Sequence, residues 1–227
     1  MRLRNHLLSL VVGALALLGL GGQAQALGIP VPLSSLVVPG ATLTSEDGNF
    51  TFGDFGASVT GAISANLDDY NVQALTSGFR VTGAFLVADG NFGDMVLSFS
   101  VAPKQGILIT DAHLFFNGSF NGNAPPGMGT SVNETIFHNN DPIAQLSVAT
   151  SSGGFQKLTD AVVFDPVPSI TVLKDIALSS YGGQGGSVAH ISIVDQTFTY
   201  IPEPGTLLLL ASGVAGLAMV GRKRMSK

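Results

Sequence analysis

Residues 79–101 read FRVTGAFLVADGNFGDMVLSFSV. In the first half Phe79, Val81, Gly83, Phe85 and Val87 alternate with Arg80, Thr82, Ala84, Leu86 and Ala88. In the second, Met95, Leu97, Phe99 and Val101 alternate with Val96, Ser98 and Ser100. Side chains on a strand point alternately to opposite faces, so a period of two marks two β-strands, each with one face for a core. Asp89-Gly90-Asn91 between them supplies the residues that tolerate positive φ in a tight turn. The stretch therefore predicts an antiparallel hairpin from Phe79 to Val101.

Similar segments fill the surrounding chain. Further strands are predicted at Phe50 to Phe55, Ala57 to Ala65, Ile107 to Phe116, Val132 to Phe137, Ile143 to Ala149, Leu158 to Phe164, Ile170 to Leu178 and Ser187 to Tyr200. Clusters of Gly, Asn, Asp and Pro separate most of them, and no helical stripe competes. About ten short strands fit an all-β, antiparallel two-sheet β-sandwich of jelly-roll-like form, with a closed barrel as the alternative. Residues 117–130, with four glycines and Pro125-Pro126, are expected as a long loop. The prolines at 30, 32 and 39 predict an extended arm over residues 27–48, leaving 49–201 as the sandwich domain.

Both ends of the 227-residue chain differ from this middle. Residues 1–26 hold Arg2 and Arg4, an apolar run from Leu7 to Leu20, and Ala24-Gln25-Ala26. Positive end, short apolar helix and small residues in that order make a secretory signal peptide, with Ala24 and Ala26 forming the signal peptidase site. An uncleaved membrane helix is disfavoured because the run is shorter than the roughly 20 residues that cross a bilayer.

At the other end Pro202-Glu203-Pro204-Gly205 precedes a single transmembrane helix expected at 206–221, then Arg222-Lys223-Arg224 and the chain end at Lys227. An apolar run of about 15 residues covers roughly 22 Å, a marginal span. The basic cluster acts as a stop-transfer signal and keeps 222–227 cytoplasmic, so the domain lies outside the inner membrane. The two prolines disfavour helix at the junction and leave an extended neck open to a protease.

Residues 202–227 resemble the PEP-CTERM sorting tail, whose pattern is Pro-Glu-Pro, a transmembrane helix and an arginine-rich end. The resemblance implies a Gram-negative bacterium, tethering at the inner membrane, and processing by an exosortase that leaves the protein at the cell surface or outside the cell. It also implies association with exopolysaccharide. A permanent tail anchor is the alternative that hydropathy alone permits.

The basic residues between 27 and 201 are Arg80, Lys104, Lys157 and Lys174, against fourteen acidic ones, a formal charge of 4 − 14 = −10. Such a surface excludes nucleic acid as a partner. With no cysteine, the exported domain cannot use disulfides and must hold together through its core.

Candidates for chemistry are few. His113 follows Asp111 on one strand face, His138 opens the turn Asn139-Asn140-Asp141-Pro142, and His190 lies within a strand. Each reads as structural rather than catalytic, and no hydrolase elbow, phosphate loop or zinc spacing is present. Asp89, Asn91 and Asp94 are weak calcium ligands by residue type, without EF-hand spacing. The expected function is a non-catalytic exported surface or matrix protein, without a cofactor unless calcium binds. The alternative is a lectin-like carbohydrate-binding module using that calcium.

Overall fold

The computed structural model describes residues 28–122, 124–183, 186–203, 205, 209, 212 and 213. Its strands are β1 (Val31–Pro32), β2 (Thr42–Thr44), β3 (Phe50–Gly61), β4 (Tyr70–Leu75), β5 (Gly78–Gly83), β6 (Phe85–Ala88) and β7 (Phe92–Pro103). They continue as β8 (Ile107–Gly122), β9 (Gly129–His138), β10 (Asp141–Ser151), β11 (Gln156–Lys157), β12 (Thr159–Val167), β13 (Ile170–Ser179) and β14 (Ser187–Pro202). One sheet runs β1-β4-β5-β14-β8-β12, with β6 also paired to β14. The other runs β11-β10-β9-β13-β7-β3-β2. Every pairing is antiparallel, and the two seven-stranded sheets enclose one apolar core.

Alternation supplies that core. Phe79 and Phe198 reach in from the first sheet, and Phe50, Phe52, Phe55 and Phe99 from the second. Phe79 and Phe99 meet edge to face at 4.8 Å between ring centroids, and Phe52 meets Phe79 at 5.0 Å. Such pairs add to the stabilisation that comes from burying the rings. Where β5 passes β14 the backbones close up: a Cβ on Gly78 would stand 1.8 Å from the Gln196 carbonyl oxygen, so a side chain is excluded there.

The 79–101 hairpin does not form as a sheet pairing. Asp89 and Gly90 take the expected positive φ, 56° and 86°, and Asn91 N–H donates to Ala88 C=O at 3.2 Å. Yet β6 pairs with β14 in one sheet while β7 lies between β13 and β3 in the other. The turn is a corner between sheets. Period-two alternation states which face of a strand is buried, and both sheets bury theirs against the same slab, so the pattern does not distinguish a hairpin from a crossing. A second crossing, from β13 to β14, runs beside the first and is bonded to it. Ser180 N–H donates to Asn91 C=O at 2.9 Å and Asp89 N–H to Ser187 C=O at 3.2 Å.

Three other expectations change. The expected strands 50–55 and 57–65 merge into one, β3, which ends at Gly61 and has a bulge against β7 between Gly53 and Gly56 with Asp54 at φ 51°. The extra residue shifts the phase, so Phe50, Phe52 and Phe55 all face inward. Of the loop expected at 117–130, residues through Gly122 extend β8 and Gly129 begins β9. The stretch expected as an arm carries β1, a four-residue helix (Leu33–Leu36) and β2, with Leu33 and Leu36 buried in the core. Prolines 30 and 32 restrict this chain locally without detaching it from the sandwich. The expected signal helix at 1–26 lies outside the described residues, as does most of the tail.

Removing the Phe52 ring would leave a cavity at the centre of the aromatic cluster. Phe52→Ala is expected to lower the unfolding free energy by about 3–5 kcal/mol, read as a drop in the urea midpoint at constant slope. Thr51→Ala, on the exposed side of the same strand, should stay within about 0.5 kcal/mol.

Candidate functional site

The outer face of the first sheet carries a row of functional side chains. Cross-strand register places Gln73, Arg80, Asp195, Phe115 and Thr159 side by side on β4, β5, β14, β8 and β12. Arg80 donates to both carboxylate oxygens of Asp195, at 2.7 and 2.8 Å, so the guanidinium is held flat against the sheet. Phe115 is 37% exposed. It borders a cleft of about 500 Å³ together with His113, Thr159, Asp160, Asp195 and Thr197. The cleft combines an aromatic surface with hydroxyl, imidazole and carboxylate groups.

His113 and His138 are each held by neighbouring polar groups. His113 Nε2 lies 3.1 Å from Asp111, but Asp111 also accepts the backbone N–H of Thr199 at 3.0 Å and the Thr199 hydroxyl. That carboxylate closes the β8–β14 bulge between Thr199 and Tyr200. His138 Nδ1 bonds Ser169 C=O at 2.8 Å and its Nε2 meets the Asn139 amide at 3.0 Å. Asn139 and Asn140, at φ 51° and 69°, make the tight β9–β10 hairpin. His190 sits in β14 between Leu86 and Ser119.

A second cluster lies inside the sandwich. Lys174 on β13, Glu134 on β9 and Gln196 on β14 are all buried. Lys174 Nζ donates to Glu134 Oε2 and, at 2.7 Å, to Gln196 Oε1. Burial pushes the Lys174 ammonium well below the usual lysine range, against the pull of Glu134. It also pushes the Glu134 carboxyl up, against the opposing charge and hydrogen bond of Lys174. Both groups are driven toward their uncharged forms. Glu134 Oε1 and Gln196 Nε2 are buried without a hydrogen-bond partner. Alternation did carry the signal for this cluster: Val172-Leu173-Lys174, Val132-Asn133-Glu134 and Val194-Asp195-Gln196 each put the polar residue on the apolar face.

The central strand β14 leads straight into the tail. Tyr200, Ile201 and Pro202 still pair with Ile109, Leu108 and Ile107, and Glu203 N–H donates to Gly106 C=O at 2.9 Å. Pro202 and Glu203 are exposed. A family model described as the PEP-CTERM protein-sorting motif matches residues 201–224. The chain carries a PEP-CTERM sorting motif.

That motif indicates an exported protein, processed by an exosortase and bound for the cell surface. Of its sequence-predicted parts, Pro202 and Glu203 are described, whereas Pro204, Arg222, Lys223 and Arg224, like Ala24 and Ala26, lie outside the described residues. Among the described residues no helix is long and apolar enough to cross a membrane. No curated protein matches the chain. Solved structures match loosely. TmCBM61 in complex with beta-1,4-galactotriose aligns at 13% identity and TM-score 0.30, over 66% of this chain and 88% of that one. The family 11 carbohydrate-binding module from Clostridium thermocellum aligns at 14% identity and TM-score 0.18, over 68% and 93%. The arabinose-bound MgGH51 α-L-arabinofuranosidase aligns at 14% and 0.26, over 74% and 27%.

The calcium candidates are divided between different tasks. Asp89 turns the corner, Asn91 donates its amide to Ala88 C=O at 2.7 Å, and Asp94, opposite Ala177, meets Asp175 diagonally across β7 and β13. Among the described residues no three His, Cys, Asp or Glu side chains gather as a metal site. The Asp94–Asp175 pair was not anticipated, because sequence separation hides strand neighbours. Burial first, then the hydrogen bond and charge of Asp94, raise the Asp175 carboxyl above its ordinary value of 3.8.

A carboxyl whose value rises on folding stabilises the protein at low pH, below the unfolded value, and loses that contribution as pH rises through the folded one. At neutral pH the pair is therefore a cost. Asp175→Asn is expected to raise the melting temperature at pH 7, with the gain shrinking as the pH approaches 3.8. A gain independent of pH would contradict this origin.

Proposed function

We propose that this chain is a non-catalytic, exosortase-sorted protein of the cell surface or extracellular matrix that associates with exopolysaccharide. Residues 1–26 direct export and are removed, the 206–221 segment and its basic end hold the domain at the inner membrane, and the exosortase acts at the neck. The observation that carries this reading is the placement of Pro202 and Glu203. They sit exposed at the end of a strand paired along its length, with no spacer between sandwich and motif. A folded domain delivered this way presents the neck to a membrane enzyme while its own backbone is protected by pairing. Mass spectrometry of the mature protein from its native producer should find a C-terminus upstream of Arg222. Recovery from the culture fluid with Lys227 attached would overturn the sorting scheme.

The Phe115 cleft favours one specific form of the exopolysaccharide association, a lectin-like contact. Sugar rings stack their C–H faces on aromatic surfaces and pair their hydroxyls with carboxylates, amides and hydroxyls. Phe115, Thr159, Asp160 and Asp195 offer such groups around one cleft. Because Asp89, Asn91 and Asp94 serve separate local roles, such binding would be independent of calcium. Retention on the producer's own polysaccharide should weaken about tenfold in Phe115→Ala, the scale of one aromatic contact. It should be unchanged by a chelator. No retention of the unaltered chain under either condition would remove the lectin reading and leave the sorting scheme intact.

A further inference from the structure

The buried Lys174–Glu134–Gln196 cluster has no part in sorting or in the outer cleft. As an ordinary ion pair it is costly: two charges leave water, and two polar atoms, Glu134 Oε1 and Gln196 Nε2, find no partner. Its surroundings are apolar on every strand. Lys174 lies in register between Leu97 and Glu134, Glu134 next to Leu146, and Gln196 between Phe79 and Leu114, all of them buried. The arrangement puts a primary amine, a carboxyl group and a carboxamide in mutual contact away from water.

We propose that these three residues form a self-processing site in which Lys174 displaces ammonia from the Gln196 side chain, leaving an isopeptide bond between β13 and β14. Lys174 Nζ is already 2.7 Å from the amide oxygen of Gln196, so a small rotation brings it onto the carbonyl carbon. Proton transfer within the Lys174–Glu134 pair converts ammonium and carboxylate into amine and carboxylic acid with no proton from outside. This apolar site favours the uncharged pair.

The amine attacks the Gln196 carbonyl carbon, and the C=O electrons move to oxygen, which the Glu134 carboxylic acid protonates. The new C–N bond leaves Nζ positively charged, and the Glu134 carboxylate takes up a proton from it. The tetrahedral centre then collapses: the oxygen returns its proton through Glu134, the C–Nε2 bond breaks, and Nε2 leaves as ammonia. Lysine amine and glutamine amide become one secondary amide and one ammonia, and Glu134 ends protonated, as it began. Glu134 is the catalytic acid and base, and Lys174 the nucleophile. Holding both reactants in contact replaces a bimolecular encounter, an advantage worth about 10⁵–10⁸ M in effective concentration. Loss of ammonia makes the step irreversible and removes one of the two unpartnered atoms.

The bond would tie the centre of one sheet to the centre of the other. Gln196 lies in the strand that ends at Pro202, so tension on the tail reaches β14 first, and the cross-link passes it to β13. In a chain without cysteine, this is a covalent clamp open to an exported domain.

The test is peptide mapping of the full chain, purified in detergent, fully denatured and digested. A branched peptide joining Lys174 to Gln196, lighter than the two linear peptides by one ammonia, about 17 Da, is expected. Linear peptides alone, from protein that was folded by circular dichroism, would overturn the proposal without any variant. Glu134→Gln and Lys174→Met should both yield linear peptides. An ammonia loss that persists in Lys174→Met would also overturn it, by placing the loss elsewhere, for example at Asn117-Gly118.

Discussion

One apolar slab shared by two sheets governs the whole molecule. With no cysteine available, the sheets are held together by what their inner faces bury, and Phe79, Phe198, Phe52 and Phe99 interlock at its centre. Every departure from regular strand geometry serves this burial. The β3 bulge restores Phe55 to the core after Asp54 breaks the phase. The short helix after β1 brings Leu33 and Leu36 onto the slab, where an extended chain of the same length would present one of them to water. The crossings β6–β7 and β13–β14 are stitched to each other, because a backbone leaving one ladder must find its hydrogen bonds elsewhere.

The same slab explains what could be read from the sequence. β8 and β14 change phase at irregularities in their pairing, but period two named the strands and, at β7, the buried face, with Met95, Leu97, Phe99 and Val101 inward. It could not assign strands to sheets. Residues 85–101 contain a real tight turn between two real strands, and still the partners are β14 and β13, separated in sequence by the rest of the fold. Glycine-rich stretches misled in the other direction. Asn117-Gly118 and Asn121-Gly122 read as loop, but β14 opposite them supplies a full ladder, so strand pairing overrode local preference.

Candidate sites divided along the same line. The sorting motif is local in sequence and was legible entirely from residue order. The Phe115 row and the Asp94–Asp175 pair depend on register between distant strands, which no window of sequence contains. Lys174, Glu134 and Gln196 stand between these cases. Each occupies a core-facing phase that is visible in its own strand; their meeting required the fold.

One member of the buried polar cluster, Gln196, lies on the strand that runs into the sorting motif, while its ionisable partners sit on β13 and β9. Hydrophobic burial resists unfolding of the domain as a whole but has little direction, and it yields locally when one strand is pulled along its length. A pull on the tail would enter β14 at Pro202, whose neighbours depend on ladder bonds to β8 and on the contact of Glu203 with Gly106. Those bonds can open one at a time. Counting inward from the neck, the Tyr200 hydroxyl accepts the Asn49 amide at 2.7 Å beside β3, and Gln196 is the first fully buried side chain on β14 to engage the opposite sheet through a polar group. A core made of apolar residues alone would hold β14 by packing; a cluster anchored on β13 and β9 holds it at a point. The buried cluster therefore fixes the strand that carries the sorting motif to the opposite sheet at one point.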